Sequence, residues 1–251
     1  MIIAQISDTH VALDAPDTDQ RLQDFERVIA DINTLDPQPD LIVHTGDIVH
    51  NGLADEYALS AAILSRARAP VFVLAGNKDD RTNLLSSFLG AGYLEPGAPF
   101  IDYAIEDFPL RIIALDTLSE GNNKGDFCKE RAQRFAGLLE RDPDRPAVVC
   151  SHHPPFRVPV GPDPVNFVTQ DSMERLAGAI AQAGQIVAVL SGHVHRLTGG
   201  TVGTTPAIVT TSIATTLRKG EYPAEMEGRP VYYLHRHDPA RGFASEVRIA
   251  T

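Results

Sequence analysis

The chain has 251 residues, 43% hydrophobic and 22% charged, with 22 basic against 33 acidic side chains and a net charge of −11. These proportions fit a globular chain that builds its own core, and they exclude disordered, collagen-like and coiled-coil chains. A surface this acidic repels polyanions, so extended nucleic acid and anionic membranes are poor partners, whereas a local cationic site made by metal ions is allowed.

Two cysteines, Cys128 and Cys150, make neither a disulfide framework nor a thiolate metal site, and they fit a reducing compartment. No apolar run approaches the roughly 20 residues needed to span a bilayer. The expectation is one soluble, cytoplasmic domain over 1–251.

In chain order, short Val- and Ile-rich runs alternate with longer amphipathic stretches. The predicted strands are 2–6, 41–44, 71–74, 110–115, 147–150, 186–190, 207–211, 231–235 and 244–249. Several are apolar throughout, the pattern of strands covered on both faces. Helices are predicted at 21–35, 55–68, 83–89, 129–141 and 172–183. The first places Leu22, Phe25, Val28, Ile29 and Ile32 at helical i, i+3, i+4 spacing. After about residue 197 only strands remain. Nine strands are many for one open sheet, so two sheets with helices on the outer faces are expected. The segment 199–251 then completes the second sheet or forms a contact in a homodimer or higher homo-oligomer. Proline-rich 154–164 and the stretch 122–129 are expected to rim a pocket.

Five short clusters fall at or just past the ends of five predicted strands: Asp8-Thr9-His10, Gly46-Asp47, Gly76-Asn77-Lys78-Asp79, Ser151-His152-His153-Pro154 and Gly192-His193-Val194-His195. That end of a strand is where α/β sheets place ligands. Carboxylate, amide and imidazole without thiolate suit Mn, Fe, Zn or Co. Asp8 and His10 stand two apart, as do His193 and His195, so on an extended backbone each pair points to one side. Seven candidate ligands exceed what one tetrahedral ion needs, and two ions sharing one carboxylate would use them all.

The ordered set D-x-H, GD, GN, HHPP and G-H-x-H resembles the calcineurin-like metallophosphoesterases from residue 1 to about 217. The Gly76–Arg81 and His152-His153-Pro154-Pro155 contexts are similar to the bacterial class III cyclic-nucleotide phosphodiesterases and glycerophosphodiesterases. The resemblance implies an α/β fold, a four-layer αββα sandwich of two mixed sheets flanked by helices, with two divalent metal ions. It implies that Asp8, His10 and His195 hold one ion, that Asn77, His152 and His193 hold the other, and that Asp47 bridges them. It implies hydrolysis of a small phosphate diester, a cyclic nucleotide or a glycerophosphodiester, by in-line attack of a metal-bridging hydroxide. A phosphomonoesterase, a phosphonate-ester hydrolase and a non-catalytic scaffold are the alternatives on the same fold.

One residue departs from the family pattern. Lys78 stands where the family motif GNHD or GNHE has its histidine, assigned as phosphate ligand or general acid. A lysine ammonium binds phosphate as a point charge but is a poorer proton donor near neutral pH than an imidazole. His153 is expected either to orient His152 or reach the phosphate, or to be structural. His50 is expected either to line the site or to lie outside it. His44, His235 and His237 are expected to be structural. Asp79, Asp80 and Arg81 are expected to form an ion pair at a helix start, and Asp116 to be structural.

Overall fold

A computed structural model describes residues 1–159 and 163–251 of the chain. The first sheet runs in the order β11-β10-β1-β2-β3, built from β1 (Ile2–Ile6), β2 (Leu41–His44), β3 (Val71–Val73), β10 (Val231–Asp238) and β11 (Gly242–Ile249). The second runs β4-β5-β6-β7-β9-β8, from β4 (Tyr103–Ile105), β5 (Arg111–Leu115), β6 (Ala147–Ser151), β7 (Ile186–Ser191), β8 (Thr198–Val202) and β9 (Thr205–Val209). Both sheets are mixed: β1, β2 and β3 are parallel, as are β5, β6, β7 and β9, while β10, β11, β4 and β8 pair antiparallel with their neighbours.

The period-2 alternation of the second sheet divides its residues between two cores. Ile112, Ala114, Val148, Cys150, Ala188 and Leu190 join the core shared with the first sheet. The alternate residues Ile113, Leu115, Val149 and Val189 face the other way, against Phe135, Leu138, Leu176 and Ile180 of α4 (Lys129–Glu140) and α5 (Gln170–Gln182). The first sheet is covered by α1 (Thr18–Thr34), α2 (Ala54–Leu64) and α3 (Arg81–Phe88), which contribute Phe25, Val28, Ile32, Ile63 and Leu84 to its core. The architecture is therefore the expected four layers, two mixed sheets between helices.

Several local expectations are corrected. Strands β4 and β8 were not predicted: β4 is only three residues long, and the Thr-Gly-Gly-Thr of β8 lacks the β-branched apolar pattern of a core strand. Helix α5 begins at Gln170, two residues before the expected 172, and is capped by Thr169, whose side chain accepts from Ser172 N at 3.1 Å. The segment 199–251 divides between the sheets. Strands β8 and β9 complete the second, whereas β10 and β11 form a hairpin that extends the first from the free edge of β1. Residues 160–162 of the proline-rich stretch lie outside the described residues. Among the described residues no helix is long and apolar enough to cross a membrane.

His235 on β10 is fully buried, and burial pushes its imidazole down to about 3 from the ordinary 6.5. Between these values the unfolded chain binds a proton that the folded chain excludes, so stability falls as pH drops below about 6.5. This histidine alone contributes a slope of about 1.4 kcal/mol per pH unit there. Denaturant unfolding of wild type and His235→Gln between pH 7 and pH 4 should show a flatter acid limb in the variant.

Candidate metal centre

The five motif clusters meet on one rim, at the C-terminal ends of β1, β2, β3, β6 and β7. The backbone there is unusual. Asp8, His10, Asp47, His193 and His195 all have positive φ, of 54°, 44°, 50°, 74° and 54°. They are the non-glycine residues in this region among the described residues. Left-handed backbone is costly for side-chain-bearing residues and gathers at functional sites. This corrects the extended-backbone expectation for the two pairs. The chain turns out of the sheet at these five ligands, and the turn itself aims the side chain inward.

The turns are held by close packing. A Cβ on Gly192 would lie 2.0 Å from Ser7 Oγ and 2.5 Å from Asp8 Oδ2, so only glycine lets the turn before His193 approach β1. His193 N donates to Asp8 Oδ2 at 3.1 Å, and Gly192 N donates to the His152 carbonyl at 3.1 Å.

All seven candidate ligands come together. His10 Nε2 and His195 Nε2 are 3.0 Å apart, and His195 Nε2 is 3.2 Å from Asp8 Oδ1. Asn77 Oδ1 lies 3.2 Å from His152 Nε2 and 2.9 Å from His193 Nδ1. Between these two groups sits Asp47. Its Oδ2 is 3.5 Å from His10 Nε2 and also 3.5 Å from His152 Nε2. Its Oδ1 is occupied by the backbone N of Lys78 at 2.7 Å, which fixes the carboxylate so that one oxygen faces both halves.

The donor set fits cations. His195 Nδ1 is 2.9 Å from the Leu217 carbonyl, and His152 Nδ1 is 2.8 Å from the Thr45 carbonyl. A carbonyl only accepts, so each Nδ1 carries the proton and each Nε2 turns a lone pair toward the cage. The buried Asp8 Oδ1 has no hydrogen bond of acceptable geometry despite His195 nearby. Converging lone pairs in a buried site call for a positive charge among them. Burial opposes ionisation of Asp8, yet the surrounding His195, His152 and His10 hold its carboxyl far below the ordinary range. Burial likewise opposes charging His152, yet Asp47 and Asp8 push it up to about 9. The charge of the two carboxylates thus favours a cation among these ligands, a proton or a metal ion in its place.

The remaining predicted residues fall around this cage. His153 is buried, with its ring centroid 4.4 Å from that of His193 and 4.9 Å from that of His152. Its Nδ1 meets Thr117 Oγ1 at 2.8 Å and its Nε2 meets the Asn123 carbonyl at 3.3 Å. His50 Nδ1 is 3.5 Å from His10 Nδ1, so it borders the site. His44 is buried against Thr9, Oγ1 to Nε2 2.9 Å. Lys78 Nζ reaches Asn123 Oδ1 at 3.2 Å, which sets it beside Asn77 under the 122–129 loop.

The expected ion pair within Asp79-Asp80-Arg81 is not present. Asp80 caps α3 through Asn83 N at 2.8 Å. Arg81 instead grips Asp116 with two hydrogen bonds, at 2.7 and 2.9 Å, and also reaches Glu120. Asp79 turns inward, accepting from Gly76 N, Ile48 N and Val49 N and from Tyr57 Oη, and so ties the Asp47 loop to the Asn77 loop. Its signal was in plain view, a carboxylate two residues past a ligand. Asn123 gave no signal beyond lying in an irregular stretch.

Comparison with known proteins agrees with this geometry. A sequence model of the calcineurin-like phosphoesterases matches residues 1–197. The chain belongs to that family of hydrolases. It is 34% identical over 203 residues to a probable glycerophosphodiester phosphodiesterase of Arcobacter nitrofigilis, covering 78% of this chain and 72% of that one. It is 28% identical over 219 residues to a probable cyclic nucleotide phosphodiesterase of Rhodococcus erythropolis, covering 84% and 70%. In fold it is similar to a dimetal phosphatase from Danio rerio, with a TM-score of 0.76 at 14% identity over 100% of this chain and 99% of the other.

Because only glycine fits at residue 192, Gly192→Ala should displace Asp8 and weaken Mn²⁺ binding by about tenfold or more, while circular dichroism still reports a folded chain. Titration of metal-stripped protein with Mn²⁺ checks this.

Proposed function

We propose that this hydrolase cleaves small phosphate diesters with two divalent ions, one held by Asp8, His10 and His195, the other by Asn77, His152 and His193, with Asp47 shared. One observation carries the reading: Asp47 Oδ2 stands at the same 3.5 Å from an imidazole nitrogen of each half. When bound, such ions supply an activated water and offset the charge that develops on the phosphoryl oxygens.

The chain's own residues do the rest. Asp79 and the backbone N of Lys78 hold the Asn77 and Asp47 loops in register. Lys78 extends a positive charge beside Asn77, steadied by Asn123 Oδ1, where it attracts a phosphoryl oxygen. It also offers an N–H to the departing ester oxygen. Asn77 opens onto a cavity of about 340 Å³ lined by Asp79, Asp80, Arg81, Thr82, Leu118 and Glu120, with no aromatic side chain among the described residues of its lining. Polar walls of that kind suit a small hydroxylated alcohol and offer no ring on which a purine stacks. A glycerol-like leaving group therefore fits better than a nucleoside, in keeping with the likeness to a probable glycerophosphodiester phosphodiesterase.

The test uses metal-stripped protein with Mn²⁺, Zn²⁺, Co²⁺ or Fe²⁺ restored. Bis(p-nitrophenyl) phosphate and glycerophosphodiesters should be cleaved faster than p-nitrophenyl phosphate and 3′,5′-cyclic AMP. Faster cleavage of the monoester overturns the diester reading, and the extra charge of Lys78 would then be serving a dianion.

Lys78→His should raise turnover most on diesters with poor leaving groups, by roughly tenfold or more if proton donation limits them. A uniform change along a leaving-group series assigns Lys78 to phosphate binding alone.

A further inference from the structure

Beneath the metal cage a buried chain of hydrogen bonds runs between the two sheets. Gln5, on β1, is fully buried. Its Nε2 donates to Thr45 Oγ1 at 3.1 Å and to the Ser191 carbonyl at 3.0 Å. Its Oε1 is 3.0 Å from His235 Nε2, and His235 Nδ1 is 2.7 Å from Ser245 Oγ on β11. The directions are mutually consistent. Gln5 gives both amide hydrogens, so its oxygen accepts from His235 Nε2–H, and His235 Nδ1 accepts from the Ser245 hydroxyl. Every polar atom of Gln5 is then satisfied in a buried interior, the condition under which a buried network rigidifies its surroundings.

Both ends of the Gln5 amide bear on the metal cage. Thr45 is the residue whose carbonyl fixes the ring of His152. Ser191 ends β7 immediately before the Gly192-His193 turn, and its carbonyl also takes Thr210 N at 2.9 Å. One side chain thus ties the end of β2 in the first sheet to the end of β7 in the second, at the two points that orient His152 and His193.

We infer that Gln5, backed by His235, is a positioning residue for the ion held by Asn77, His152 and His193, which it serves by locking the two strand ends that present those histidines. The ion held by Asp8, His10 and His195 does not depend on it in the same way, because His195 is oriented by Leu217 and not through this chain. The inference rests on the two-ion reading above.

Mn²⁺ titration of metal-stripped protein by calorimetry tests it without recourse to catalysis. Wild type should take two ions. Gln5→Met, which keeps the volume and removes the hydrogen bonds, should weaken the second ion by about tenfold or more and change the first little. His235→Gln, which can still donate to Gln5, should bind nearly as wild type.

Asp31→Asn serves as the control for general destabilisation. Asp31 holds Tyr232 Oη and Thr251 on the far side of the first sheet, with no link to the cage. Unchanged affinities in Gln5→Met overturn the inference. So does an equal loss of the second ion in Asp31→Asn at a matched drop in unfolding temperature. A wild-type chain that takes fewer than two ions overturns the two-ion reading, and this inference with it.

Discussion

The arrangement depends on holding acceptors against one another. Two carboxylates, an amide oxygen and four imidazoles turn toward one small buried volume, and without a cation among them, a proton or a metal ion, their lone pairs repel. The fold opposes that repulsion with backbone. Five of the seven groups sit on left-handed residues, and glycines at 46 and 192 let two of these turns pack closer than a Cβ would allow. Carbonyls of Thr45 and Leu217 then decide which imidazole nitrogen faces inward. The strained turns and the crowded lone pairs belong to the same device: the turns aim the side chains, and the lone pairs they gather suit a cation.

The two sheets share the work unequally. The first supplies Asp8, His10, Asp47 and Asn77 from successive parallel strands, and the second supplies His152, His193 and His195 from two. Neither sheet holds a complete donor set. Polar ties between them, among them Gln5 to Ser191, His152 to Thr45, His193 N to Asp8 and Ile213 N to Ser7, gather at the rim where the ligands emerge. Packing of apolar faces brings the sheets together, and these few polar contacts set their register.

Much of this was legible in the sequence. The core strands announced themselves as continuous apolar runs because helices and a second sheet cover both faces. The ligands announced themselves because each motif follows such a run. What escaped was of two kinds. Strand β8 carries adjacent glycines and β4 is a single short turn of pleat, so neither displays a period. The partners of Arg81, Asp79 and Gln5 lie far along the chain or on backbone atoms, and residue spacing carries no information about them. The left-handed turns escaped for a further reason. Such positions are usually marked by glycine, and here aspartate and histidine occupy them because the ligand itself must stand at the turn.

The topology has a consequence for synthesis. Strand β1 is paired on one side with β2, but its other edge is filled only by β10, more than 200 residues later, where Ile2 lies opposite Arg236. The whole second sheet is made in between. While the ribosome is still building it, the strand that leads to Asp8 has an open edge and Gln5 has no His235 to accept from. The nascent chain therefore presents Asp8 and His10 long before β10, which completes the sheet beneath them, has been made.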